Sequence, residues 1–176
     1  DTVVESGVIK TLVANKADIV SPVIKFKRNG DWIYDYGGWV NWNIGRTRHV
    51  ESSNLTMKQC NNETIDYVSG CCMLIKLQVF ETIGLFDERF FLYFEDADFC
   101  IRAKKAGFKI VVEPNAVIIH NLTEGAKKPS SSQLELIKSN LKFINKYLGF
   151  TKPLGFLYCL VLSARICLNR LFQQSS

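Results

Sequence analysis

The chain has 176 residues, 47% apolar and 22% charged, with a net charge of +5. That balance specifies a folded domain with its own core and excludes a disordered or low-complexity chain. The charge is uneven: residues 1–120 hold 14 Lys/Arg against 15 Asp/Glu and residues 121–176 hold 8 against 2, so the basic excess lies beside an apolar C-terminus rather than among exposed aromatics, which points to anionic lipid and not to nucleic acid.

Asp1-Thr2-Val3-Val4 reads as the end of a buried strand and, with no initiator Met, as the start of a chain cut from a longer one. Val8, Ile9, Leu12 and Val13 give a short amphipathic helix ending near Asn15. Asp18 to Phe26 reads as a strand interrupted by Pro22, which has no amide to donate and is therefore expected at a sheet edge or end. After a turn at Gly30-Asp31 comes an aromatic stretch with Trp32, Tyr34, Tyr36, Gly37-Gly38, Trp39 and Trp42. It reads as a hairpin whose aromatics either pack on the core or offer a flat platform to the apolar face of a sugar ring. Asn54 to Glu63 is polar and irregular, as a loop would be.

Asp66 to Ile75 reads as a buried strand with a small-residue step at Ser69-Gly70, where glycine marks a bulge or the close approach of another group. Lys76 to Ile83 is a short helix stopped by Gly84. Next, Phe90-Phe91-Leu92-Tyr93-Phe94 runs directly into Glu95-Asp96-Ala97-Asp98. Two accounts fit these acids. They suit the positive end of a helix that continues through Phe99, Ala103 and Ala106 to Lys104, Lys105 and Gly107, each charge contributing roughly 0.3–1 kcal/mol. Alternatively, a carboxylate walled by aromatic rings is poorly solvated, holds its proton more tightly and can act as a general base. The residues alone leave both open.

Two short strands follow around Pro114, Lys109 to Glu113 and Ala116 to His120. Ser132-Gln133-Leu134-Glu135 has the form of a capping box, opening a helix with Leu134, Ile137, Leu141, Ile144 and Leu148 on one face until Gly149. Leu154 to Ala164 is apolar but far shorter than the roughly 20 residues a spanning helix needs, so an interfacial helix is expected, or one packed on the domain or on a second copy. The basic charge nearby suits a lipid surface and a solvated helix face equally well. The six cysteines have no metal-type spacing and read as reduced, buried side chains of an intracellular protein.

This alternation of helices and strands indicates an α/β fold. Val68-Ser69-Gly70-Cys71-Cys72-Met73-Leu74-Ile75, then Phe80 to Arg102 with Gly84-Leu85-Phe86-Asp87-Glu88 and Glu95-Asp96-Ala97-Asp98, and finally Ala106-Gly107-Phe108, Pro114 and His120, resemble family 2 glycosyltransferases, most closely the rhamnosyltransferase-like branch. The resemblance covers residues 1–120 and is specific over 66–120. It implies a GT-A fold, a mixed and largely parallel sheet flanked by helices. Residues 1–125 would be the C-terminal part of that catalytic domain, its nucleotide-binding half lying before Asp1. Residues 126–150 would follow as an amphipathic helix and 151–176 as an apolar, basic helix at a membrane surface.

By the same resemblance Asp96 is the base of an inverting sugar transfer, with Glu95 beside it steering the acceptor. Asp1 and His120 would hold Mn²⁺ or Mg²⁺ on the donor diphosphate, and Ser69, Gly70, Trp39, Tyr93 and Asp98 would contact substrate. The implied donor is a dTDP-, UDP- or GDP-sugar. The acceptor is a saccharide or lipid-linked saccharide in surface polysaccharide synthesis, and the setting is cytoplasmic, peripheral at the inner face of the membrane. A non-catalytic carbohydrate-binding or assembly module using Trp39 and Trp42 is the rival reading. A metal-dependent hydrolase is a weaker third, since one histidine with scattered acids makes no hydrolase cluster.

Overall fold

The computed structural model describes residues 2–55, 65–121 and 130–174. Six strands form one mixed sheet: β1 (Thr2–Val4), β2 (Ile19–Arg28), β3 (Asp31–Asn41), β4 (Arg46–Ser52), β5 (Leu74–Ile75) and β6 (Ile110–His120). Their order is β1-β6-β2-β3-β4, with β5 also paired to β2. The helices are α1 (Val8–Ala14), α2 (Leu77–Ile83), α3 (Glu95–Lys105), α4 (Ser130–Tyr147) and α5 (Lys152–Gln174). A mixed sheet flanked by helices is consistent with a portion of the GT-A fold. Among the named strand pairings β2 and β6 run parallel, while β1 on β6, and β3 and β5 on β2, are antiparallel. The chain divides into two compact units, residues 1–39, 48–86 and 96–126, and residues 40–47, 87–95 and 127–176.

In the first unit, α1 covers one face of β2 and β6. Val8 and Leu12 are buried with Val20, Ile24, Phe26, Val111, Ala116 and Ile118, while Ile9 and Val13 face solvent. The helix ends where expected, at Asn15. The expectation for Pro22 fails: β2 is an interior strand, paired on both sides. The ladder accommodates the missing amide by breaking step, with Pro22 opposite Glu113 but Val23 opposite Val117. Pro114 lies in the same irregularity, so the two short strands expected around it are one strand with a break. Asp66–Ile75 is likewise not a single strand. Tyr67 makes an isolated bridge to Gly38, residues 70–72 turn, and Leu74–Ile75 pairs with β2.

Helices α2 and α3 follow their sequence signals, with Gly84 closing α2 and Gly107 beyond α3 in a left-handed conformation (φ +89°). They are joined through Phe99, whose ring stacks on Phe86 at 4.4 Å and lies 5.2 Å from Phe80. Arg102 completes the joint by donating to the carbonyls of Ile83 (2.7 Å) and Leu85 (2.8 Å).

The second unit is built on α4 and α5. The capping box is overturned: α4 already includes Ser130, so Ser132 lies inside it, and Glu135 pairs with Lys138 at 2.7 Å. Its buried face is also rotated from the expected stripe. Leu134 is half exposed, while Ser139, Asn140, Phe143, Ile144 and Leu148 are buried. Polar residues can sit there because each finds a partner. Ser139 donates to the Leu92 carbonyl (2.8 Å); Asn140 donates to the Gly45 carbonyl (2.7 Å) and accepts from the Cys159 thiol (2.9 Å). Phe143 is the hub of a ring cluster, 5.0 Å from Phe94, 4.8 Å from Tyr147 and 6.3 Å from Trp42. Along α5, Gly155 and Cys159 are buried while Leu154, Leu157, Leu160, Val161 and Leu168 are exposed. Among the described residues no helix is long and apolar enough to cross a membrane.

Candidate active site

Asp96 stands in the first turn of α3, where unpaired backbone amides favour a carboxylate. Its Oδ1 accepts from the Ala97 amide at 2.7 Å, and its Oδ2 accepts from the Gly70 amide at 3.1 Å. The small-residue step and the acidic segment, 26 positions apart, therefore meet. A β-carbon on Gly70 would lie 3.4 Å from the Asp96 Cβ, so the close approach expected of Ser69-Gly70 is an approach to this carboxylate. Asp96 remains partly accessible, as a group that touches substrate must be. Burial raises its pKa, and the Gly70 and Ala97 amides and the positive charge of His49 oppose that rise without cancelling it. The two accounts of the acidic segment are thus compatible: one residue caps the helix and is also a carboxylate of strengthened basicity.

His49 on β4 was not singled out as a site residue by the sequence. Its Nδ1 meets Asp35 Oδ2 at 2.7 Å, and the other Asp35 oxygen accepts from the Gly37 amide at 2.9 Å. Gly37 takes a left-handed conformation (φ +85°), and Gly38 exchanges backbone hydrogen bonds with Asp66 and Tyr67. Any β-carbon on Gly38 would lie 2.4 Å from the Tyr67 ring and 2.5 Å from the Arg48 carbonyl, so only glycine fits. The same contact brings the Tyr67 ring edge-on to His49, centroids 5.4 Å apart at 80°. His49 keeps 40% of its side chain exposed; its partial desolvation disfavours the charged imidazole, but Asp35 first, then Asp96 and Glu51, outweigh it and raise the His49 pKa. The pairing of Asp35 with His49 exists only because β3 and β4 are neighbours in the folded sheet.

The other singled-out residues are scattered. Ser69 hydrogen-bonds the Cys71 thiol, whose pKa burial pushes up to about 11. Trp39 is about one-third exposed, with the Arg48 guanidinium 5.8 Å from its ring. Glu95 and Tyr93 belong to the second unit. Tyr93 and Phe94 both adopt left-handed backbone (φ +67° and +68°), a strained pair held by the burial of Phe94 against Phe143. Asp98 is fully buried and paired with Arg102 at 2.9 Å, which gives it a structural place between α3 and the end of α2 and no surface for a substrate.

His120 closes β6 opposite Thr2 of β1. Burial lowers its pKa, which favours the neutral imidazole. Asp1 lies outside the described residues. Among the described residues no three His, Cys, Asp or Glu side chains converge as a metal cage requires.

Comparison with known proteins gives this geometry its setting. Residues 1–141 match the family described as glycosyltransferase like family 2. The chain is similar to N-acetylglucosaminyl-diphospho-decaprenol L-rhamnosyltransferase of Mycobacterium tuberculosis, 36% identical over 70 residues, or 40% of this chain and 23% of that protein. It is similar to the low-salt glycan biosynthesis hexosyltransferase Agl10 of Haloferax volcanii, 30% identical over 109 residues, or 62% of this chain and 36% of the other. Rhamnosyltransferase WbbL of Escherichia coli K12 is 32% identical over 60 residues, 34% of this chain and 23% of its own length. The matched segments thus span about a quarter to a third of these curated relatives. The chain belongs to glycosyltransferase family 2 and is rhamnosyltransferase-like.

Proposed function

We propose that this chain is the acceptor-side part of an inverting glycosyltransferase and that Asp96 is its general base. The observation that carries this reading is the Asp96 carboxylate itself: partly open, anchored by the Gly70 and Ala97 amides, and made more basic by burial. In the intact enzyme an acceptor hydroxyl approaches Asp96 and its proton passes to the carboxylate. The freed oxygen attacks the anomeric carbon of the nucleotide sugar from the face opposite the diphosphate. The bond from that carbon to the diphosphate oxygen breaks, and the configuration inverts. Gly70 fixes the direction from which Asp96 faces the hydroxyl, a contribution of positioning.

The donor in this reading is a dTDP-, UDP- or GDP-sugar, and the acceptor a saccharide or lipid-linked saccharide. The names of the relatives support rhamnosyl or hexosyl transfer. Metal dependence, with Asp1 and His120 as ligands to Mn²⁺ or Mg²⁺, belongs to the same proposal, as does attachment of residues 151–176 to the inner face of the membrane. Exposed Leu154, Leu157, Leu160 and Val161 on a helix without acidic residues support that attachment.

Asp96→Asn in the intact protein tests the central claim. General-base catalysis contributes about 10²- to 10⁴-fold, so the transfer rate should fall by that factor while donor binding by calorimetry persists. Turnover at the unsubstituted rate would remove Asp96 from this role.

A further inference from the structure

The acidic segment has a neighbour that neither the motif nor the family match singles out. Asp35 grips His49 through one carboxylate oxygen and the Gly37 amide through the other, at 2.7 and 2.9 Å. This fixes the imidazole with Nδ1 toward Asp35 and leaves Nε2 as its second proton-carrying position. The Gly37-Gly38 step within β3 brings in Tyr67, whose ring edge meets His49, and the chain then runs through Val68 and Ser69 to Gly70, which holds Asp96. Asp35, His49, Tyr67, Gly70 and Asp96 thus form one connected set.

We infer that the Asp35–His49 pair is a counter-charge built beside Asp96, with His49 as a positioning residue for the proposed base. The inference rests on the assignment of Asp96 as the base. Asp35 favours the charged form of the imidazole, and that charge opposes what burial does to the Asp96 carboxylate. Burial then supplies basicity while His49 keeps enough of Asp96 ionised to take a proton. The other charged groups near His49 are Glu51 on its own strand, engaged by Arg28 at 2.7 Å, and Arg48 beside Trp39; Cys71 lies near both Asp35 and Asp96.

The test is the pH dependence of kcat/KM in the intact enzyme, for the unsubstituted protein, His49→Gln and Asp35→Asn, with Asp96→Asn alongside. Removing the cation makes Asp96 hold its proton to higher pH, so the acidic limb should move upward. The rate near neutral pH should fall by about tenfold, recovering as the pH is raised, with donor affinity unchanged. An equal loss at every pH, or profiles that superimpose, would overturn the positioning role while leaving the base assignment intact. Activity surviving in Asp96→Asn would overturn both. Should the His49 variant fold poorly, the histidine NMR titration in Asp96→Asn serves instead: the His49 midpoint should fall when its anionic neighbour is neutralised, and an unmoved midpoint would refute the pair.

Discussion

The two units solve the problem of internal order in opposite ways. In the first, position is set by polar groups and by glycines: Asp35, Asp96 and Asp98 each have named partners, and Gly38 is packed so closely that a β-carbon has no room. In the second, position is set by volume, with Phe143 fully buried between Phe94, Tyr147 and Trp42. Ser139 and Asn140 are its polar exceptions, and both have hydrogen-bond partners. A hydrogen-bonded carboxylate holds one direction, as proton transfer requires, whereas a ring cluster holds shape and tolerates similar volumes. The proposed base, Asp96, falls in the unit ordered by direction.

The contrast can be broken at either end. Phe143→Ala should cost the most, about 3–5 kcal/mol, because the cavity lies at the hub of the rings. Denaturant unfolding checks this, and a loss under roughly 1 kcal/mol would mean that volume does not order this unit. Gly38→Ala should cost about 2–3 kcal/mol through overpacking against the Tyr67 ring and the Arg48 carbonyl. It should also disturb His49, so activity should fall further than stability predicts. An unchanged melting temperature would show that the bridge to Tyr67 yields easily. The smallest effect is expected on α5, where Leu157→Ser with Leu160→Ser should shift stability by less than about 0.5 kcal/mol per site. The same pair should abolish flotation with anionic liposomes if this face meets lipid, and retained flotation would reject the attachment.

How much of this could be read from the chain depended on whether order was local. Helices α1, α2 and α3 carry their own stop signals, and all three fall where those signals placed them. Gly70 and Asp96 were each conspicuous, one as a glycine within an apolar run and the other as an acid behind aromatics. What was not legible is what depends on distant partners. Pro22 read as an edge residue because its accommodation lies in an irregularity of β6 that begins at Pro114, far along the chain. The α4 face was misread because burial of Ser139 and Asn140 is licensed by carbonyls at Leu92 and Gly45. His49 was passed over because its importance comes from Asp35, a contact that exists only once the hairpin closes.

The break at Pro22 also carries timing along β6. Between the pairs Pro22–Glu113 and Val23–Val117, β2 advances one residue while β6 advances four, so three residues are looped in. An odd insertion reverses the alternation of side chains. Val111 and Ile118, of opposite parity, can therefore both join the cluster beneath α1. The tail of β6 inherits this reversed phase, and with it the side of the sheet on which His120 stands. Removing one residue from 114–116 would turn that imidazole over together with Ile118, which would leave the cluster beneath α1, so the length of the looped-in segment acts as a remote selector for every side chain in the strand's tail.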